Sequence, residues 1–258
     1  EDFSIKIIPT QITPRRYLKA VTIDSAIYII GGAKYAPTLP IYTPIISQTT
    51  GISEKYDLST NQLTKVSPMP TRRQYMGVVA HNDKIYVIGG SQFKNWAHRL
   101  EYYGPFGRYR FLSTLEIYDT KSNIWIEGPS MPTARQCNAV LYKDRIYVIG
   151  GYNGYPLKTI EIYNIEKNEW ETKKDAPVPI SANSSEERDG IIYIFGDYED
   201  LSRVLIYNIE KDEWLSIESN FIGRRHNSAV GIDNYIYIVG GNISPRTDLS
   251  IIQKYRIM

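Results

Sequence analysis

The sequence predicts an all-β fold built from repeated small antiparallel sheets, and three observations carry the prediction. A strand ending on glycine is written five times, as IYIIGG, IYVIGG, IYVIGG, IYIFGD and IYIVGG, with its first glycine at Gly31, Gly89, Gly150, Gly196 and Gly240. Downstream, Tyr118, Tyr163 and Tyr207 precede Trp125, Trp170 and Trp214 by seven residues, and Tyr56 precedes Leu63 by the same interval. Between each pair lies a polar string, DLSTNQ, DTKSNI, NIEKNE or NIEKDE. Such Asn- and Asp-rich strings suit a tight connection between two strands.

Each unit therefore parses into four strands. The first precedes the glycine-ended strand, as in AVLY at 139–142; the second is IYVIGG, the third IEIYN, and the fourth starts at tryptophan. The second strand is apolar almost without alternation, as a strand covered on both faces requires. Its glycines admit backbone angles closed to other residues and leave no side chain in the crevice where the chain turns away. Four short strands cannot bury two apolar faces alone, so the sheets must stack around an axis as a propeller. The expectation is one domain of five four-stranded blades, at about 13–69, 70–131, 132–177, 178–221, and 222–258 together with 1–12. The last unit ends before a fourth strand, whereas the chain opens with a spare one, FSIKII at 3–8. That N-terminal strand is expected to close the ring and remove an unpaired edge.

The ordered set of double glycine, tyrosine, tryptophan seven later and an MPT-x-R opening to the next unit resembles the Kelch repeat, across essentially the whole chain. Leu63 in place of tryptophan, Asp197 in place of the second glycine and a fourth unit without the opening depart from it. The resemblance implies a domain that recruits partner proteins, usually within a larger multidomain protein.

Composition narrows the rest. A net charge of +2 over 258 residues argues by itself for neither nucleic acid nor a membrane. No apolar run reaches membrane-spanning length. The single cysteine, Cys137, allows no internal disulfide, which fits a reducing compartment and a cytoplasmic location. The three histidines show no ligand-like spacing, so neither metal nor cofactor is expected.

In a propeller, loops joining second to third strands share one end with the loops joining blades. Two of the former are long, 33–53 and 91–112, and belong to neighbouring blades. The second interleaves cations with aromatics: Lys94, Trp96, Arg99, Tyr102, Tyr103, Phe106, Arg108, Tyr109 and Arg110 are candidate ligand-binding residues. Counting back from each IY motif brings Arg16, Arg73, Arg135 and Arg225 to equivalent positions, with Ser181 in the fourth unit. These arginines are expected to ring the channel mouth; in Kelch proteins similar arginines read acidic groups on a partner, because guanidinium grips carboxylate with paired bonds. The favoured reading is a non-catalytic module binding a protein or peptide that carries acidic groups. Two alternatives stay open. Ser185-Glu186-Glu187 replaces the small apolar residues of the other inner strands, so Glu186 or Glu187 could act as a channel carboxylate in an enzyme similar to the Kelch-fold sialic acid mutarotases. The aromatic-basic insert could instead hold an anionic glycan or nucleic acid.

Overall fold

The computed structural model describes residues 11–35, 47–93, 109–244 and 246–257. Five small antiparallel sheets stand around an axis as a five-bladed β-propeller, each running from an inner to an outer strand. Blade one contains Lys19–Ile23, Ala26–Ile30, Ser53–Asp57 and Gln62–Val66; blade two Gly77–His81, Lys84–Ile88, Leu115–Asp119 and Ile124–Gly128. Blade three contains Val140–Tyr142, Arg145–Ile149, Ile160–Asn164 and Glu169–Lys173; blade four Ser184–Arg188, Ile191–Phe195, Val204–Asn208 and Glu213–Ser216. Blade five has three described strands, Ser228–Ile232, Tyr235–Val239 and Ile252–Arg256. The expected closing strand at 3–8 lies outside the described residues. No described helix is long and apolar enough to cross a membrane.

The recurring tyrosine and tryptophan do two jobs each. In blade one, Asp57 Oδ1 accepts the amides of Ser59 and Thr60, both at 3.0 Å, and Asn61 takes φ of 56°, in the left-handed region Asn tolerates. The Tyr56 hydroxyl then donates to Asn61 Oδ1 at 2.9 Å. Tyr118 donates to Asn123 at 2.7 Å, Tyr163 to Asn168 at 2.6 Å, and Tyr207 to Asp212. The ring is buried while its hydroxyl fastens the turn that reverses the chain, which is why the position holds tyrosine rather than phenylalanine. Tryptophan sits between its own blade and the one before: Trp125 Nε1 donates to Ser67 O and Trp170 Nε1 to Pro129 O, each at 2.8 Å. Both aromatics pack into the apolar clusters between successive blades.

The glycines seat the next blade. A Cβ on Gly31, Gly89, Gly150 or Gly196 would meet the backbone carbonyl of Arg73, Arg135, Ile180 or Arg224 at 2.9, 2.7, 2.3 or 1.9 Å, and all four glycines have positive φ. In blades one to three the second glycine's amide donates to that same carbonyl, at 2.8 to 2.9 Å. Blade five differs: beside Gly240 the nearest described atom is Leu249 O at 3.8 Å. Among the described residues little covers its apolar face, where Val230, Val239 and Ile252 are exposed by 47, 41 and 66%. Leu115, at the register of Ile252 in blade two, is fully buried by blade three.

Candidate functional site

The two long second-to-third loops leave the sheets as short ribbons, Ala33–Tyr35 paired with Ser47–Thr49 and Ser91–Phe93 paired with Tyr109–Phe111. The two stems lie against each other, as neighbouring blades dictate. Lys94, Trp96, Arg99, Tyr102, Tyr103, Phe106 and Arg108 lie outside the described residues. Tyr109 stacks on Phe93 with ring centroids 5.1 Å apart, and Arg110 is exposed.

The four arginines do not form one ring, because they occupy two different positions. Backbone bridges pair Arg16 with Ala33, Gln74 with Ser91, Gln136 with Tyr152 and Arg225 with Asn242, so Gln74 and Gln136 are the counterparts of Arg16 and Arg225. Arg73 and Arg135 stand one residue earlier, with Arg15 and Arg224, and point into the protein. Arg73 Nη2 meets Glu116 Oε2 at 2.6 Å, Arg135 Nη1 meets Glu161 Oε2 at 2.8 Å, and Arg15 Nη1 meets Glu54 Oε2 at 2.6 Å. Thr13, Thr71 and Thr133, two residues before each arginine, donate their hydroxyls to the same glutamates at 2.6 Å. The fully buried side chains of these arginines clamp their inter-blade loops to a third strand and leave no guanidinium for a ligand. Blade four replaces the clamp with apolar Ile180 and Leu205, both in the core between blades three and four. In blade five Gln253 takes the place of glutamate, accepting from Arg224 Nη2 at 2.5 Å and Ile222 N at 3.0 Å.

Arg16 and Arg225 do reach the loop-bearing end. Arg225 lies over the Tyr198 ring at 4.2 Å, with its Nε donating to Asn242 Oδ1 at 3.2 Å, and Arg16 lies over Tyr17 at 4.9 Å. They flank a cavity of about 900 Å³ at the channel mouth whose lining includes Tyr17, Tyr75, Tyr109, Tyr152, Tyr155 and Tyr198. Tyr17 and Tyr75 stack at 4.3 Å, and Tyr75 lies 6.3 Å from His226 across the channel. Tyr17, Tyr75, Ala182 and His226 share one position in the repeat, and all have φ between 54 and 57°. Bulky residues seldom adopt that backbone, and such strain concentrates at binding sites. Burial, then the hydrogen bond with Tyr17, raises the Tyr75 hydroxyl above its ordinary value. Partial desolvation at the cavity rim, then the Arg225 charge, lowers the His226 imidazole. At neutral pH Tyr75 and His226 therefore present neutral hydrogen-bonding groups. The sequence reading missed Tyr17, Tyr75, Tyr152, Tyr155, Tyr198 and His226. The available signal was position: Tyr17, Tyr75 and His226 stand two residues after a buried arginine, and Tyr152 follows the paired glycines.

Glu186 and Glu187, each a candidate channel carboxylate, are held by different backbone amides. Glu186 accepts Gly231 N of blade five at 2.9 Å, with Arg188 Nε at 3.8 Å, while Glu187 accepts Gly190 N at 2.7 Å in its own hairpin. Burial raises both carboxyls above their ordinary values. A Cβ on Gly231 would meet Arg188 Nε at 2.1 Å, so the glycine makes room for the arginine. His81 pairs with Asp144 at 3.0 Å at the end away from the cavity. Among the described residues no group of three or more His, Cys, Asp or Glu could hold a metal ion.

Comparison with known proteins places these features in a family. The Attractin/LZTR1 beta-propeller model matches residues 27–256. Kelch-like protein terF of Aspergillus terreus is 29% identical over 198 residues, 72% of this chain and 39% of its own length. Spermatocyte protein spe-26 of Caenorhabditis elegans is 27% identical over 76% of this chain and 31% of its own. Human Kelch repeat and BTB domain-containing protein 8 is 29% identical over 68% of this chain and 25% of its own. The chain thus spans well under half the length of these relatives.

Proposed function

The chain belongs to the Attractin/LZTR1 family of Kelch-repeat β-propellers, and we propose that it is a protein-interaction module whose recognition surface is the loop-bearing end around the tyrosine-lined cavity. One observation carries this reading: six tyrosines line a concave opening of about 900 Å³, and two of them, Tyr17 and Tyr198, each carry an arginine over the ring. Tyrosine and arginine dominate binding hot spots because they bring large contact area and directional donors at low entropic cost. The fitting partner is a protein segment that inserts an aromatic or aliphatic side chain among the tyrosines and sets an acidic group near Arg16 or Arg225. The resemblance of this chain to multidomain Kelch proteins supports a protein partner.

The test is quantitative affinity capture with the wild-type protein, a Tyr198→Ala/Arg225→Glu variant, and an Asp83→Lys/Asp144→Lys variant at the opposite end. Partners retained by the wild type and the opposite-end variant but lost at least about tenfold from the cavity variant support the proposal, a loss equivalent to about 1.4 kcal/mol. Equal capture by all three contradicts it.

A further inference from the structure

We infer that Lys19 is a reactive amine that forms a reversible imine with small aromatic aldehydes entering the tyrosine-lined cavity. Lys19 opens the inner strand of blade one and lines the cavity. Its Nζ reaches Asn138 Oδ1 of blade three at 2.8 Å, and Asn138 Nδ2 in turn donates to Asn183 O of blade four at 2.5 Å. These contacts link the inner strand of blade one to the segments that lead into the inner strands of blades three and four. Among the described residues no carboxylate forms an ion pair with Lys19, and its printed hydrogen-bond acceptor is a neutral amide.

The surroundings keep this amine nucleophilic. Burial lowers the Lys19 ammonium against the opposing effect of Cys137, and burial raises the neighbouring thiol. His226 is lowered, and among the described residues Glu199 is the one carboxylate in the cavity lining. Lys19 is half-buried in the cavity wall, and an amine held there against a neutral amide, without a counter-charge, spends more time as the free base that attacks carbonyl carbon. The Nζ lone pair adds to the aldehyde carbon, and the carbinolamine then loses water, its oxygen leaving with the two hydrogens of the amine. A C=N bond replaces C=O, and no oxidant or reductant takes part. The stacked Tyr17–Tyr75 pair, centroids 4.3 Å apart, supplies an aromatic wall for a one-ring aldehyde.

Lys121 and Lys143 are internal controls. Hydrogen bonding, to Asp83 and Tyr142 respectively, raises both ammonium groups above the ordinary value and keeps them protonated. The experiment treats the folded protein near neutral pH with limiting 4-hydroxybenzaldehyde and sodium cyanoborohydride, which traps the imine as a secondary amine, and maps the adducts by peptide mass. Labelling of Lys19 about ten times faster than of Lys121 and Lys143 is expected, a tenfold rate per unit of lowered pKa at most. Concentrated urea should abolish that preference, and Lys19→Arg should remove the fast adduct. Site mapping on the wild type decides the matter even if the variant does not fold. Labelling of Lys19 no faster than of the two controls, or a preference that survives urea, overturns the inference.

Discussion

Glu161→Ala should be among the most destabilising single changes in this protein, because it strands a guanidinium that no other described carboxylate pairs with. Arg135 and Glu161 are 0 and 1% exposed and meet at 2.8 Å. At an effective dielectric near 20 that separation corresponds to a gross attraction of about 6 kcal/mol, set against several kcal/mol of desolvation for each ion. Removing one partner forfeits the attraction but leaves the desolvated charge, so a loss of about 3–5 kcal/mol is expected by urea denaturation. Thr133 would lose its acceptor as well. Blade four supplies the control, since Val178, Ile180 and Leu205 stand where blade three has Thr133, Arg135 and Glu161. The triple change Thr133→Val, Arg135→Ile, Glu161→Leu copies that solution, and it should recover at least half of what the single change loses. A Glu161→Ala loss below about 1 kcal/mol, or a triple variant no better than the single one, would refute the clamp as described.

Three further outcomes follow from the packing and the charges. Leu115→Ala should cost about 2–5 kcal/mol in chemical denaturation, whereas Ile252→Ala, at the same register on the exposed apolar face of blade five, should stay within about 0.5 kcal/mol; equal losses would mean that face is covered. Trp170→Ala should cost about 3 kcal/mol, and Trp170→Phe about 1 kcal/mol through the hydrogen bond to Pro129 O; a loss below about 1 kcal/mol for alanine would contradict its placement between blades. Burial alone would raise Glu54, but hydrogen bonds from Thr13 and Arg15 outweigh it and leave the carboxyl below its ordinary value. Its contribution is therefore fully present above the unfolded value of about 4.3 and lost as pH falls through the lower folded value. Melting curves across that acid range should show a steeper loss for the wild type than for Glu54→Gln, and parallel curves would remove this group from the acid response.

The architecture was legible because each repeated feature answers a local physical demand. Glycine is required where the next blade's carbonyl approaches Gly89 within 2.7 Å of a would-be Cβ, and tyrosine where its hydroxyl must reach a left-handed turn residue such as Asn123. Those demands recur at constant spacing and survive the replacement of tryptophan by Leu63. The arginines were misread because counting residues is blind to strand register. In blade two, five residues separate both Gln74 from Val79 and Tyr86 from Ser91; in blade three, only four separate Gln136 from Val140 while five separate Tyr147 from Tyr152. That local shortfall puts Arg135 one residue off, while Arg73 stands 13 residues before Tyr86 and Arg16, Arg135 and Arg225 stand 12 before Tyr28, Tyr147 and Tyr237, so Gln74 was the true match; one residue is the difference between a buried clamp and a half-buried cation at the loop-bearing end. A better signal lay in the pairing of T-x-R with glutamate two residues before the recurrent tyrosine. It holds in three blades and disappears from both places at once in blade four. The cavity was hidden for another reason: its tyrosines come from four blades, and only the arrangement of the sheets around the axis brings them together.

The most direct test of the recognition surface is hydrogen–deuterium exchange of the protein alone and bound to a captured partner. Slowed exchange should concentrate at 152–157, 197–203 and 224–228, the segments bordering the cavity. Protection concentrated instead at the hairpin turns 57–61, 119–123, 164–168 and 208–212, with the cavity segments unchanged, would contradict the account.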